Sequence, residues 1–257
     1  MEKKKTLLGK IINALNRVTN FMIPFRCSAC MRIIESEGGV CGYCWGKIRF
    51  IEKPICPILG APFPFEVAEG TISARALAHP PAFDHMRSVF FYEGVGQEIL
   101  HRFKFARHTE IAKTFAPWML RAGGEIVKNC DIIIPIPLHR GRYVSRSFNQ
   151  SSELGRHIHY LTKLPIDTNS LIRIRATPPQ SGLSGRERRA NIKNAFIVRE
   201  RKKHLIRHKR VLLIDDVYTT GATIHEACRV LRRSKAASIE VLTLARVEFR
   251  KDSYHML

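Results

Sequence analysis

The sequence predicts an α/β protein in which a parallel sheet is covered by helices on both faces, preceded by a small cysteine-bearing segment. Three observations predict it. Short apolar runs rich in Ile, Leu and Val alternate with stretches of helical periodicity between residues 87 and 244, the pattern of strands buried on both faces. Val211-Leu-Leu-Ile214 runs straight into Asp215-Asp216, and Thr219-Thr-Gly-Ala-Thr223 then opens a helix with Ile224, Ala227, Val230 and Leu231 on one face. Two C-x-x-C pairs, Cys27-Ser-Ala-Cys30 and Cys41-Gly-Tyr-Cys44, lie ten residues apart.

In chain order, Leu7, Leu8, Ile11, Ile12, Leu15 and Val18 recur at helical spacing and predict an amphipathic helix over residues 1–24, stopped before Pro24. Docking on its own protein and lying on a membrane surface are both open to such a helix. Lys10, Asn13, Asn16 and Arg17 interrupt any signal-peptide core. No apolar run approaches the ~20 residues that span a bilayer, so the expected location is cytoplasmic.

Residues 25–66 form the expected zinc-finger segment. The C-x-x-C pairs supply two thiolates each, with Gly38-Gly39 turning the chain between them, so Cys27, Cys30, Cys41 and Cys44 make a closed tetrahedral site for structural Zn²⁺. The rival, a redox pair, needs one C-x-x-C on a βαβ unit rather than two at knuckle spacing. Seven cysteines, an odd number, argue against a disulfide framework. Cys56 lacks a partner because Leu59 stands where one would be. Cys130 and Cys228 lie beside apolar segments as buried fillers.

Residues 67–257 form the main domain. Strands are expected over 87–92, 131–137, 171–175, 196–198, 210–214 and 239–244, and helices over 96–105, 111–127 (tolerating Pro117), about 150–161 and 224–233. Ligands of open α/β sheets bind at the carboxyl ends of the strands. There the N–H groups of Thr219, Thr220, Gly221, Ala222 and Thr223 and the positive end of the following helix can cradle a monophosphate. Asp215 and Asp216 are placed to accept hydrogen bonds from ribose hydroxyls beside a Mg²⁺ shared with the ligand. The basic loop after Pro137 offers Arg140, Arg142 and Arg146 for a pyrophosphate, against the alternative of a solvated basic turn. Residues 177–191 are polar and long enough for a lid that excludes water, or for a basic linker. No G-x-x-x-x-G-K-[ST] occurs, which weighs against a Walker-type NTPase.

The formal charge is +21, and residues 139–210, with 18 Lys or Arg against 4 Asp or Glu, supply +14 of it. A polyphosphate substrate explains part of that excess and a nucleic-acid backbone more of it.

Residues Val211–Thr223 resemble the thirteen-residue phosphoribosyl-pyrophosphate (PRPP) motif of type I phosphoribosyltransferases. The chain as a whole resembles the ComF family of competence-associated proteins. The resemblance rests on the two C-x-x-C pairs, His101–Phe105, Pro135-Ile-Pro-Leu-His-Arg140 with Arg146-Ser-Phe-Asn-Gln150, Thr177-Pro-Pro-Gln180 through Asn191, and Leu213–Thr223. It implies a zinc finger fused to a type I phosphoribosyltransferase fold. It further implies a role in natural transformation, with single-stranded DNA and the DNA-uptake helicase machinery as partners.

Two functional classes follow. One is a glycosyltransferase of the phosphoribosyltransferase type, in which a nucleophile displaces pyrophosphate at C1 of Mg²⁺-bound PRPP. Neither an acceptor nor a general base is identifiable, and the chain shows no N-terminal catalytic cysteine or glutaminase domain. The other is a DNA-handling factor that uses PRPP as ligand or signal, with Phe103, Phe105, Tyr143 and Phe148 as base-stacking candidates. A PRPP-sensing regulator without chemistry is a milder form of the second.

Overall fold

The computed structural model describes residues 24–35, 38–105, 111–138, 148–175 and 185–248. The predicted helix over 1–24 lies outside them, apart from its last residue. Next come α1 (Gly42–Trp45), α2 (Ala74–Ala78), β1 (His85–Phe91), α3 (Gly94–Phe105), α4 (Ile111–Val127), β2 (Ile132–Pro135) and α5 (Gln150–Thr162). They are followed by β3 (Leu171–Arg173), α6 (Gly185–Ile192), β4 (Phe196–Val198), a 3-10 turn (Glu200–Leu205), β5 (Arg210–Tyr218), α7 (Ala222–Arg233) and β6 (Ser238–Arg246).

The main sheet has the order β1-β6-β5-β2 with every neighbouring pair parallel. Its strands alternate side chains between two cores, because successive residues point to opposite faces. Leu212, Ile214, Leu242 and Leu244 face one layer with Ile99, Phe103, Phe115, Met119 and Leu154 of α3, α4 and α5. Val211, Leu213, Ile239 and Val241 face the other, under Ile224, Ala227 and Leu231 of α7. Val211, Leu212, Leu213 and Ile214 are all fully buried. Burial of each such side chain contributes roughly 1.5–3 kcal/mol, which makes β5 a rigid base for whatever follows it.

One expectation is corrected. Residues 171–175 and 196–198 do extend as strands, but they do not join the parallel sheet. β3 and β4 pair antiparallel as a separate ribbon, with Leu171 opposite Val198 and Arg173 opposite Phe196. Runs of only three residues carry no signal of which strand they will pair with. The helix 111–127 appears as expected with Pro117 inside it, and leaves helical geometry at Gly123 (φ −135°, ψ 19°). A Cβ there would come within 2.7 Å of Leu242 Cδ1 and 3.2 Å of Arg87 Cβ, so glycine lets α4 lie close on β1 and β6.

The cysteine segment attaches to the edge of this sheet. The Ile51 N–H donates to the Val89 carbonyl and the Phe91 N–H to that of Arg49, both at 2.9 Å. Trp45 packs edge-on against Trp118 of α4, with centroids 4.9 Å apart. Cys27, Cys44 and Ile48 share the core of α3, α4 and α5. No helix among the described residues is long and apolar enough to cross a membrane.

Candidate active site and metal centre

β5 delivers Asp215 and Asp216 to the carboxyl end of the sheet, and the chain then turns through Thr219–Gly221 into α7. Gly221 is the residue before the helix and has φ +78°, which favours glycine. A Cβ there would also lie 2.5 Å from the Tyr218 hydroxyl oxygen, so the buried tyrosine fixes how closely the loop packs. Gly221, at the N-cap, has no side chain to cap α7, and Thr220 Oγ1 accepts from the Ala222 N–H at 3.5 Å.

A cleft of about 390 Å³ lies over this turn and is lined by Asp215, Asp216, Thr219, Gly221, Ala222 and Thr223, among others. The expected loop and acid pair therefore share one wall, with Thr220 inside the loop. Other elements close the site. Ser151, in the first turn of α5, donates to Asp215 Oδ1 at 3.0 Å, and the Asp216 N–H donates to the same oxygen at 2.9 Å. Lys104, near the end of α3, pairs with Asp216 Oδ2 at 3.0 Å. Burial and then the neighbouring Asp216 push the Asp215 carboxyl up to about 7, against the pull of the Asp216 N–H, Ser151 and Lys104.

Lys104 and Ser151 were not singled out as site residues from the sequence. Lys104 stands only as a polar helix position, and Ser151 follows the Arg146–Gln150 block. Their importance comes from long-range packing: Asn149 caps α5 by accepting from the Ser151 N–H and donates to the Ile136 carbonyl, which brings Ser151 beside β5. Arg140, Arg142 and Arg146 lie outside the described residues. Leu138, where their loop departs, lines the cleft. Of the segment expected as a lid or linker, 177–184 lie outside the described residues, whereas 185–191 belong to helix α6 rather than to a loop; the β3–β4 ribbon brackets the segment, and Arg173 on that ribbon lines the cleft. Of the base-stacking candidates, Phe103 and Phe148 are core residues, 0% and 8% exposed and packed on each other. Tyr143 and the Phe105 side chain fall outside the described residues.

Cys27, Cys30, Cys41 and Cys44 form the cluster the sequence predicts, with all four sulfurs within 4.8 Å of one another. Cys30 and Cys41 Sγ are 3.7 Å apart. A tetrahedron with Zn–S bonds of about 2.3 Å has edges of about 3.8 Å, so the donors fit zinc. Burial opposes ionisation of Cys27, but the N–H groups of Cys41, Cys30 and Ala29 outweigh it and bring the thiol down to about 6. All four ligands are thiolates and none of the positions is open, which makes the site structural.

Cys56 stands apart from that cluster and yet sits in the same turn. The Cys27 N–H donates to Arg32 and the Met31 N–H returns to Cys27; likewise the Cys56 N–H donates to Ala61 and the Gly60 N–H returns to Cys56. Residues 56–61 thus repeat the backbone turn of residues 27–32, with Leu59 at the position that Cys30 holds. The Cys56 thiol instead accepts from the N–H and hydroxyl of Ser73 at 3.4 and 3.3 Å. Cys130 and Cys228 are buried, as expected of fillers.

Comparison with known proteins agrees with both halves. The Double zinc ribbon domain family matches residues 18–77, and the Phosphoribosyl transferase domain family matches residues 158–254. DNA utilization protein YhgH of Escherichia coli O157:H7 is 32% identical over 87% of this chain and 98% of its own length. Competence protein F of Haemophilus influenzae is 30% identical over 86% and 97%. Competence protein ComFC of Bacillus subtilis is 29% identical over 83% and 87%. A cysteine-bound zinc ribbon on the edge of a phosphoribosyltransferase-type sheet, with relatives matched along almost their whole length, establishes that the chain belongs to the ComF/YhgH family of competence and DNA utilization proteins.

Proposed function

We propose that this protein binds PRPP in the cleft at the carboxyl end of β5 and transfers its phosphoribosyl group to an acceptor, in the service of DNA utilization or uptake. The observation that carries this reading is the acid pair on a rigid strand followed at once by a helix N-terminus across a glycine turn. The 5-phosphate takes the N–H groups of Thr219–Thr223. The ribose hydroxyls donate to Asp215 and Asp216, which would also stand beside a Mg²⁺ shared with the ligand, an ion that would offset part of the pyrophosphate charge.

Lys104, paired with Asp216 Oδ2 at 3.0 Å, holds that side chain in place until ligand arrives. Arg140, Arg142 and Arg146 then serve the pyrophosphate. Departure of pyrophosphate leaves positive charge at C1, which the anionic wall stabilises by position rather than through a covalent bond to the enzyme.

Titration calorimetry of the zinc-loaded protein with PRPP and Mg²⁺, beside Asp215→Asn/Asp216→Asn, tests the reading. Saturable binding that the double variant loses supports it, and pyrophosphate release in an acceptor screen then separates transfer from binding alone. Absence of binding by the unaltered protein sinks it. The second reading, a PRPP-responsive DNA-handling factor without turnover, draws on one observation. Among the described residues of the cleft, the only carboxylates are the pair that the ribose occupies, which leaves no acid to act as base on an acceptor.

A further inference from the structure

The two turns that share one backbone path bury themselves in different layers. Cys27 and Cys44 belong to the layer of α3, α4 and α5, whereas Cys56 and Leu59, together with Phe83, belong to that of α7. The ribbon thus straddles the edge of the sheet. Its first half has the zinc site as its task. The second half contains one cysteine, Cys56, and is nonetheless well buried at Cys56 and Leu59.

The turn 56–61 is clamped to the sheet. The Met86 N–H donates to the Ile58 carbonyl at 2.8 Å, and Arg87 Nη1 donates to that of Pro57 at 2.7 Å. Gly60, at φ +57°, lies so close to the Met86 carbonyl that no side chain would fit. From the last residue of β6, Arg246 Nη1 donates to the Leu59 carbonyl at 2.7 Å. That guanidinium is buried, and burial brings it down to about 10. Holding a cation away from water is costly, so what Arg246 holds together outweighs that cost.

Its contacts lead to the phosphate loop. The Arg246 guanidinium lies 5.7 Å from the centre of the Tyr218 ring, and Tyr218 immediately precedes Thr219. Phe83 meets the same ring edge-on, with centroids 6.4 Å apart, and stacks on His225 at 5.6 Å and 28°. His225 sits in the first turn of α7, and its Nδ1 accepts from the Ala82 N–H at 3.3 Å. That bond takes the neutral ring, and burial, helped by the charge of Arg75 on α2, holds His225 below its usual value. Together with Arg246, segment 56–83 therefore grips the loop 219–221 at both ends, through Tyr218 before it and His225 after it. Between them Gly221 closes on the Tyr218 hydroxyl.

We propose that segment 56–83, the second half of the ribbon and its lead into β1, is a brace for the phosphate loop, with Arg246, Tyr218 and Phe83 as positioning residues for the 5-phosphate, an assignment that rests on the PRPP reading of the cleft. None of the three touches the ligand. A loop that offers backbone N–H groups holds a phosphate only as well as those groups converge on it. Displacement by about 1 Å is enough to cost a site on the order of a hundredfold. β5 fixes where the loop begins, and the brace fixes the path by which it reaches α7.

The test compares the full-length, zinc-loaded protein with Arg246→Met, which keeps the length and removes the donors, with Arg246→Lys and with Phe83→Leu. Met119→Ala, a truncation of a buried side chain in the other layer, controls for lost stability alone. Calorimetry reads ribose 5-phosphate, Mg²⁺-pyrophosphate and Mg²⁺-PRPP separately, and hydrogen exchange without ligand reads the N–H groups of residues 218–225. Arg246→Met and Phe83→Leu are expected to weaken ribose 5-phosphate and PRPP by about tenfold, to leave pyrophosphate affinity unchanged, and to speed exchange over 218–225. Arg246→Lys, which keeps the charge and a donor, is expected to recover part of the loss. Met119→Ala is expected to lower the melting temperature and to change none of these readouts. Equal weakening of all three ligands, the same losses in Met119→Ala, or unaltered exchange and ribose 5-phosphate affinity in both brace variants overturns the brace. Binding of neither PRPP nor ribose 5-phosphate by the unaltered protein sinks the PRPP reading instead. The exchange comparison, which needs no ligand, then decides by itself whether the brace holds the loop.

Discussion

The metal centre and the cleft both gather acidic groups, and Cys27 of the one and Asp215 of the other respond to burial in opposite ways. At Cys27 three N–H groups converge on one sulfur and bring it down to about 6 despite burial, whereas Cys44, without such donors, is pushed up by burial and by the other three cysteines. At Asp215 burial and a second carboxylate win, and the group rises to about 7 with one hydroxyl, one N–H and a nearby lysine opposing. Preformed donors make an anion that is ready for its metal. Too few donors make an anion that waits for a cation and a ligand to arrive. The first arrangement suits a permanent structural ion and the second a site that binds and releases.

The largest expected effect separates the two regions outright. Cys27→Ala/Cys30→Ala is expected to abolish zinc retention and to unfold the ribbon, because metal supplies on the order of 10 kcal/mol to such modules. Elemental analysis reads the zinc, and hydrogen exchange should show residues 25–48 exposed while β5 and β6 stay protected. Loss of protection throughout would mean that the two regions fold as one unit.

Next in size, Asp215→Asn/Asp216→Asn is expected to weaken PRPP binding by more than about a hundredfold, two ionic contacts being worth at least ~3 kcal/mol together, while zinc content stays unchanged. Gly221→Ala follows. The new methyl group meets Tyr218 in a positive-φ turn, a strain of about 2 kcal/mol. It should lower PRPP affinity by roughly tenfold or more in calorimetry, with thermal stability reduced.

The smallest effect tests the comparison most directly. The Asp215 carboxyl is at about 7 in the fold and near ~3.9 unfolded. The fold favours its neutral form, so its contribution to stability is complete below about pH 4 and is lost as pH rises through 7. Asp215→Asn removes that loss. The variant should be more stable than the unaltered protein at pH 8, with little difference at pH 4, in denaturant melts. A constant difference across this range would show that Asp215 is ionised throughout. PRPP affinity of the unaltered protein should rise with pH through 7, since the ribose needs the carboxylate as acceptor.

The sequence made much of this legible because the informative residues are close together in the chain. Asp215, Asp216 and the turn to Thr223 occupy nine positions, and each C-x-x-C occupies four. Strand and helix geometry alone puts such residues side by side. The helix 111–127 was equally legible from its period. Segments 171–175 and 196–198 were legible as extended chain but not as a separate ribbon, since three-residue strands carry no pairing information.

What the sequence determined by itself was the class of fold, the four thiolates, and the acid pair with its loop, all consequences of local spacing and of apolar runs that must be buried. Tertiary structure alone decided that Ser151 and Lys104 surround the acids, that Tyr218 lies beneath Gly221, and that Phe103 and Phe148 belong to the core. Each depends on how helices settle on a sheet. That packing is fixed by contacts between residues far apart in the chain, which no local pattern encodes.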